Sequence, residues 1–263
     1  MMKNKYLVLA ANNKLEKVDN TLFLFPLKGY CVGMSHEYAI QEIPKGSYVY
    51  VNRLFDSSLM NSFIELYPSI LKCAQGIVFE DLGVLEVLKE KNSPLKTILY
   101  ATHAVCSLET TLAYLSYVDS VILSPDITLE EIKYISSQAK VGAVLFGHLP
   151  LMYSRRQLVT NYARHFGVEK TNPFLIKEPI HNKEFLLVEN EYGTVLYDNA
   201  VYNGYELLDC PCEYYLLNLE FTQIEHFSEW LKEFEAGQYP STSSFFLHQE
   251  TIYRLPPKEE RHD

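Results

Sequence analysis

Short apolar runs rich in β-branched and aromatic residues recur along the chain: Tyr6 to Ala10, Leu22 to Phe25, Tyr48 to Val51, Gly76 to Phe79, Thr97 to Ala101, Ser120 to Leu123, Ala143 to Phe146 and Tyr214 to Leu219. The first seven begin 16 to 28 residues apart, which leaves room for a helix between most neighbours. That is the βαβ rhythm of a parallel sheet. The runs are continuously apolar rather than alternating, so both faces of the sheet must be covered.

The segments between them carry helix signals. Ser57 and Ser58 precede Leu59, Met60, Phe63, Ile64, Tyr67, Ile70 and Leu71, an apolar stripe at helical spacing. Thr128-Leu129-Glu130-Glu131 reads as a capping box ahead of Ile132 and Ile135, in which side chain and backbone satisfy each other's first-turn hydrogen bonds. Thr222-Gln223-Ile224-Glu225 reads as a second box, opening a helix whose inner face is Ile224, Phe227, Trp230, Leu231 and Phe234. Eight strands with this spacing predict an α/β fold, a (β/α)8 TIM-like barrel. The rhythm breaks between the seventh and eighth strands. There Phe185 to Val188 and Thr194 to Tyr197, joined by Glu189 to Gly193, predict a β-hairpin insertion within residues 168–213. The expected organisation is one barrel over residues 1–254 and a disordered tail over 255–263, where Pro256 and Pro257 precede a charged end.

Composition narrows the function classes. The 263 residues hold 23 basic and 33 acidic side chains, a formal charge of −10. A fold-wide positive field for nucleic acid is thus excluded, and RNA binding would need a local patch or a partner. Five scattered cysteines, none in a C-x-x-C pair, together with no signal-like N-terminus and no apolar run of membrane-spanning length, predict a cytoplasmic protein. Cys210-Pro211-Cys212 reads as a turn before the eighth strand. No G-x-S-x-G, P-loop, H-E-x-x-H or G-x-G-x-x-G motif occurs.

Barrels of this kind place their chemistry where the strands end. Glu80 and Asp81 follow the fourth strand and can form an acid–base pair or hold a cation. Neighbours on a strand point to opposite faces, however, so at most one of them aims at the mouth; the alternative is that one caps a helix and the other is solvated. His103 is a candidate proton shuttle or a hydrogen-bonded structural residue, and Asp126 a candidate proton-transfer group or helix-start acid. His148, Arg155 and Arg156 are candidate substrate-binding residues beside Tyr153: the arginines could grip a phosphate while the ring stacks a base, or else pair with surface acids. No further residues are assigned as metal ligands, the Cys210-Pro211-Cys212 spacing being unlike a zinc site.

The stretch Gly147-His148-Leu149-Pro150-Leu151-Met152-Tyr153-Ser154-Arg155-Arg156 resembles the signature of the collagenase-like peptidase family U32. Val78 to Leu85, Val121 to Ile132 and Glu191 to Asn199 resemble further blocks of that family in the same order. The resemblance implies a barrel. It also implies one of two function classes: a peptidase-like hydrolase, or a protein supporting oxygen-independent hydroxylation of RNA bases or a quinone precursor, in paired short and long subunits. Some members hold an iron–sulfur cluster on signature cysteines. Those positions fall at Pro150 and Gln157 here, the family's leading glutamate falls at Gly142 and its arginine before the hairpin at His181. Four thiolates are needed for a cluster, so none is expected. The chain therefore resembles a short, cysteine-poor member that assists tRNA base hydroxylation beside a longer, cluster-bearing paralogue. The alternatives are a hydrolase using the mouth carboxylates and a non-catalytic interaction barrel.

Overall fold

The structure, a computed structural model, describes residues 5–9, 16–222, 224–238 and 243–249. Its first strands are β1 (Tyr6–Leu9), β2 (Thr21–Pro26) and β3 (Ser47–Val51). Helix and strand then alternate through α1 (Ser57–Cys73), β4 (Ala74–Phe79), α2 (Leu82–Glu90), β5 (Lys96–Leu99), α3 (Leu108–Leu115), β6 (Ser120–Ile122), α4 (Leu129–Gln138) and β7 (Val141–Gly147). There follow β8 (Pro150–Ser154), α5 (Leu158–Phe166), β9 (Phe174–Lys177), β10 (Glu184–Asn190), β11 (Gly193–Asp198) and β12 (Tyr202–Asn203). The described chain ends with β13 (Tyr214–Asn218) and α6 (Phe227–Glu235).

Eight parallel strands close on themselves in the order β7-β13-β1-β2-β3-β4-β5-β6, with β6 pairing back onto β7. This is the expected TIM-like barrel, and each of its strands grows from one of the eight apolar runs. Val8, Val49, Phe79, Leu99, Leu145 and Leu217 are sealed in its core. The connection from β2 to β3 contains one short 3-10 turn, Ile40–Glu42, in place of an α-helix.

Helix starts refine the sequence expectations. Asp56, one residue before the serines, caps α1 by accepting from the Leu59 N–H at 2.9 Å. The Thr128 box forms as expected, its hydroxyl accepting from Glu131 N while the Glu131 carboxylate takes the Thr128 N–H. The Thr222 box does not open α6. Its hydroxyl donates backwards to the Leu219 carbonyl at 2.7 Å, and Phe221 sits at φ 61°, so the chain turns there. The helix starts at Phe227, and Phe227, Trp230, Leu231 and Phe234 are buried along its inner face as the periodicity requires.

The predicted hairpin is β10 and β11, and it belongs to a four-stranded antiparallel sheet ordered β8-β11-β10-β9. Pairing runs to Asn190 and Gly193, so the connection is a two-residue turn rather than the five-residue link expected. A Cβ at Gly193, φ 151°, would lie 2.3 Å from the Ser154 carbonyl oxygen, so only glycine lets β8 approach. Gly147 serves the departure from the barrel. Its φ is 123° and a Cβ would meet the Asn218 carbonyl at 2.1 Å. The chain can therefore leave β7 and cross directly into β8. A second apolar cluster of Val32, Val188, Val195 and Tyr197, with Tyr153, Leu186 and Phe221 against it, packs this sheet over the barrel end as a roof.

Candidate functional site

A cavity of about 80 Å3 lies at the C-terminal ends of the barrel strands beneath the roof. Glu80, Tyr100, Thr102 and His103 supply one wall. His148, Pro150, Tyr153, Val195 and Tyr197 supply another, and Val32 and Met34 come from the loop after β2. The cavity thus lies at the barrel end where this fold is expected to place a site.

The adjacent carboxylates divide their labour. Asp81 is the N-cap of α2: one oxygen accepts from Gly83 N at 2.7 Å and the other from Phe55 N at 2.8 Å. Each of its oxygens accepts a backbone N–H, which is the helix-cap role expected of one of the two carboxylates. Glu80 faces the cavity. Burial pushes its carboxyl up to about 7, Asp81 adding to the rise while His103 and the Thr102 N–H oppose it. A carboxyl poised there holds or releases a proton near neutral pH.

Across the wall, His103 Nδ1 lies 2.6 Å from Asp126 Oδ2, and Ser124 Oγ donates to that same oxygen at 3.0 Å. Asp126 is therefore the histidine's partner rather than a helix-start acid; Thr128 takes that role. The hydrogen bond to Asp126 raises the His103 pKa, with the Asp126 and Glu80 charges adding to it against burial. Both members of the pair remain open to solvent, His103 at 49% and Asp126 at 29% side-chain exposure. Tyr100 feels Glu80 and Asp126 together, and burial drives its phenol far upward, so it is a neutral hydrogen-bonding group at physiological pH.

His148 is of another kind. It is buried, and its Nδ1 lies 2.9 Å from the Asp198 carbonyl oxygen. A carbonyl only accepts, so Nδ1 carries the proton and Nε2 keeps its lone pair. Burial lowers its pKa. His148 is thus a fixed neutral acceptor in the cavity wall. Two asparagines in the lining are already satisfied: Asn52 bonds both ways with the Val32 backbone, and Asn218 donates to the His148 carbonyl while accepting from Glu220 N.

The arginines lie outside. Arg155 pairs with Asp56 at 3.3 Å on the surface, and the exposed Arg156 makes no ion pair among the described residues. Neither lines the cavity with His148, so the structure separates a grip that the sequence placed together. Arg155 and Arg53 do act on the Tyr153 phenol at the cavity edge, both opposing the rise that burial causes. Arg53 itself lies over the Tyr192 ring at 3.7 Å from its centroid and donates to the Gly29 carbonyl.

Sequence reasoning missed Tyr100, Tyr197 and Val195. The strand ends at Leu99, two residues before the apolar run ends at Ala101, so Tyr100 lies just past the strand and inside the run that conceals it. The roof residues had no local signal, because only tertiary folding brings β8 and β11 over the barrel.

The family's cluster-binding positions do not fit a cluster in this chain. Pro150 is in the cavity wall and Gln157 precedes α5, and neither has a sulfur. Cys31 is buried with its thiol donating to the Tyr50 carbonyl at 3.0 Å. Among the described residues no group of three or more His, Cys, Asp or Glu is placed to hold a metal ion. The family's glutamate position, Gly142, is hemmed in by Ile122 and the Tyr214 backbone at 3.2 Å from an added Cβ. His181 lies in an exposed turn beside Glu178. No described helix is long and apolar enough to cross a membrane.

No curated protein and no solved structure matches the chain. The sequence profile of peptidase family U32, by contrast, matches residues 34–169, which run from the loop lining the cavity through the mouth residues Glu80, His103, Asp126 and His148 to α5. That is over half of the chain, and the protein belongs to peptidase family U32.

Proposed function

We propose that this chain is a substrate-holding barrel in RNA base hydroxylation, working beside a longer cluster-bearing paralogue. The observation that carries the reading is the cavity. It is a roofed concavity with an apolar lining and a few polar groups aimed into it, the form of a site for a small molecule or a single residue. Tyrosine rings line it, with an acid at Glu80 and an acceptor at His148, which is how enzymes that act on an extruded base receive it. Arg155 and Arg156 stand outside the mouth, where a phosphate backbone would pass. The net charge of −10 opposes tight RNA binding by the chain alone and favours shared binding with a partner. With no thiolate set of its own, the chain would leave the redox step to the paralogue.

The test is nucleoside analysis of RNA from cells lacking this chain. The expected result is loss of one nucleoside carrying an extra oxygen atom, restored by the wild-type chain and not by Glu80→Gln. An unchanged nucleoside profile overturns the reading.

A hydrolase is the second reading, favoured by one observation: Glu80 titrates near neutral pH beside the His103–Asp126 pair. Peptide cleavage by the isolated chain, abolished by Glu80→Gln, would establish it.

A further inference from the structure

The histidine–carboxylate pair at the mouth is open to water, but the group behind it is not. His103 and Asp126 both reach solvent, and an ion pair in that setting is screened and free to swing apart. Their atoms nonetheless meet at 2.6 Å. Behind Asp126 lies Ser124, 1% exposed, just past the end of β6. Two contacts tie this serine to the acid. Its Oγ donates at 3.0 Å to Asp126 Oδ2, the same oxygen that meets His103, and it accepts the Asp126 N–H at 3.2 Å. Its own N–H donates to the Val105 carbonyl at 3.0 Å, in the loop after β5 that carries His103. Ser124 thus fastens the two loops whose side chains form the pair.

We propose that Ser124 is a positioning residue of the mouth, a sealed hydroxyl that fixes the Asp126 carboxylate and through it presents His103 to the cavity in one tautomer. The proton inventory supports this. A hydroxyl has one proton, and with the Asp126 N–H occupying an Oγ lone pair, that proton goes to the carboxylate. An ionised carboxylate only accepts, so the facing Nδ1 carries a proton and Nε2 is left for the cavity, where His103 and Glu80 act on each other. The titratable groups that face the pair are Glu80, the Tyr100 phenol and the Cys106 thiol. None of them is a cation, so the serine and the histidine are left to hold the carboxylate in place. Ser124 does not line the cavity and acts only through Asp126 and His103. The inference rests on the reading of the mouth as a proton-transfer site, but not on the identity of the substrate.

Nitrogen-15 NMR of His103 in the full chain tests it. At pH above its titration, wild-type His103 should hold one tautomer, protonated on Nδ1. Ser124→Ala should mix the two tautomers and lower the His103 pKa part of the way that Asp126→Asn lowers it, with His148 unmoved. Ser124→Thr, which keeps the hydroxyl, should restore both. A merely structural serine would lower the melting temperature in Ser124→Ala and leave tautomer and titration alone. A wild-type His103 that already populates both tautomers, or a Ser124→Ala chain whose His103 keeps both its tautomer and its pKa, overturns the proposal. Neither result touches the RNA reading, which stands or falls on the nucleoside profile.

Discussion

Glu80 and Glu220 each follow a barrel strand, β4 and β13, and burial pushes each carboxyl up to about 7. Their surroundings are opposite. Glu80 lines the cavity and interacts with His103. Glu220 is 0% exposed, lines no part of the cavity, accepts Ser35 N at 2.7 Å on one oxygen and has no partner for the other. A raised pKa therefore does not identify a proton-transfer group by itself. Access to a cavity and a second titrating partner separate the working acid from the sealed one.

The largest expected difference is in activity. In whichever reaction the mouth performs, Glu80→Gln should cost about 10^2–10^4-fold in rate, the usual contribution of a positioned acid or base. Glu220→Gln should leave the rate within a few fold. Equal losses from both would erase the distinction.

Stability should reverse the ranking. The folded pKa of Glu220 lies above the unfolded value near 4.5, so the folded state binds the proton more tightly. Its contribution is intact below about pH 4.5 and is lost as pH rises to about 7. The difference corresponds to about 3 kcal/mol. Glu220→Gln keeps an acceptor for Ser35 and removes the buried charge, so denaturant unfolding at pH 8 should show a gain of about 2 kcal/mol that vanishes at pH 4. Glu80, partly hydrated by the cavity, should show a smaller gain of the same sign. No pH dependence in the Glu220 variant's gain would mean that its charge is not buried.

The same contrast shows what the sequence could tell. The closed barrel was legible because eight apolar runs at βαβ spacing leave few alternatives. Glu80, His103, Asp126 and His148 were legible because strand ends in a barrel converge on one rim, and the structure brings all four there. Glu220 also followed a strand, but whether it opened into the mouth or under Ser35 was set by the loop between β2 and β3, which no periodicity describes. Strand alternation indicated that Glu80 and Asp81 diverge, but which of the two faces the mouth was set by the start of α2, where Asp81 is the cap. Likewise, Arg155 and Arg156 are close to His148 in sequence, yet β8 carries them away along its length.

Smaller effects sharpen the account of the mouth. Asp126→Asn removes the main cause of the raised His103 pKa, so histidine resonances should show His103 titrating at lower pH, with His148 unmoved. Equal movement of both would show that the two histidines are not separately tuned. Smallest are the rim arginines. Arg155→Ala and Arg156→Ala should each weaken RNA binding several-fold at low salt, flatten its salt dependence, and leave thermal stability nearly unchanged. Salt-independent losses would point to fold damage instead.

The most direct measurement is the titration of the two carboxyls by carbon-13 NMR of labelled glutamate, assigned with the Gln variants and repeated in His103→Ala. Both should titrate near 7 in the wild type. Because His103 lowers the Glu80 value, its removal should shift Glu80 upward and leave Glu220 where it was. A Glu80 that titrates at an ordinary glutamate pH, or one indifferent to His103, would contradict the assignment of the barrel mouth as a coupled acid–base site.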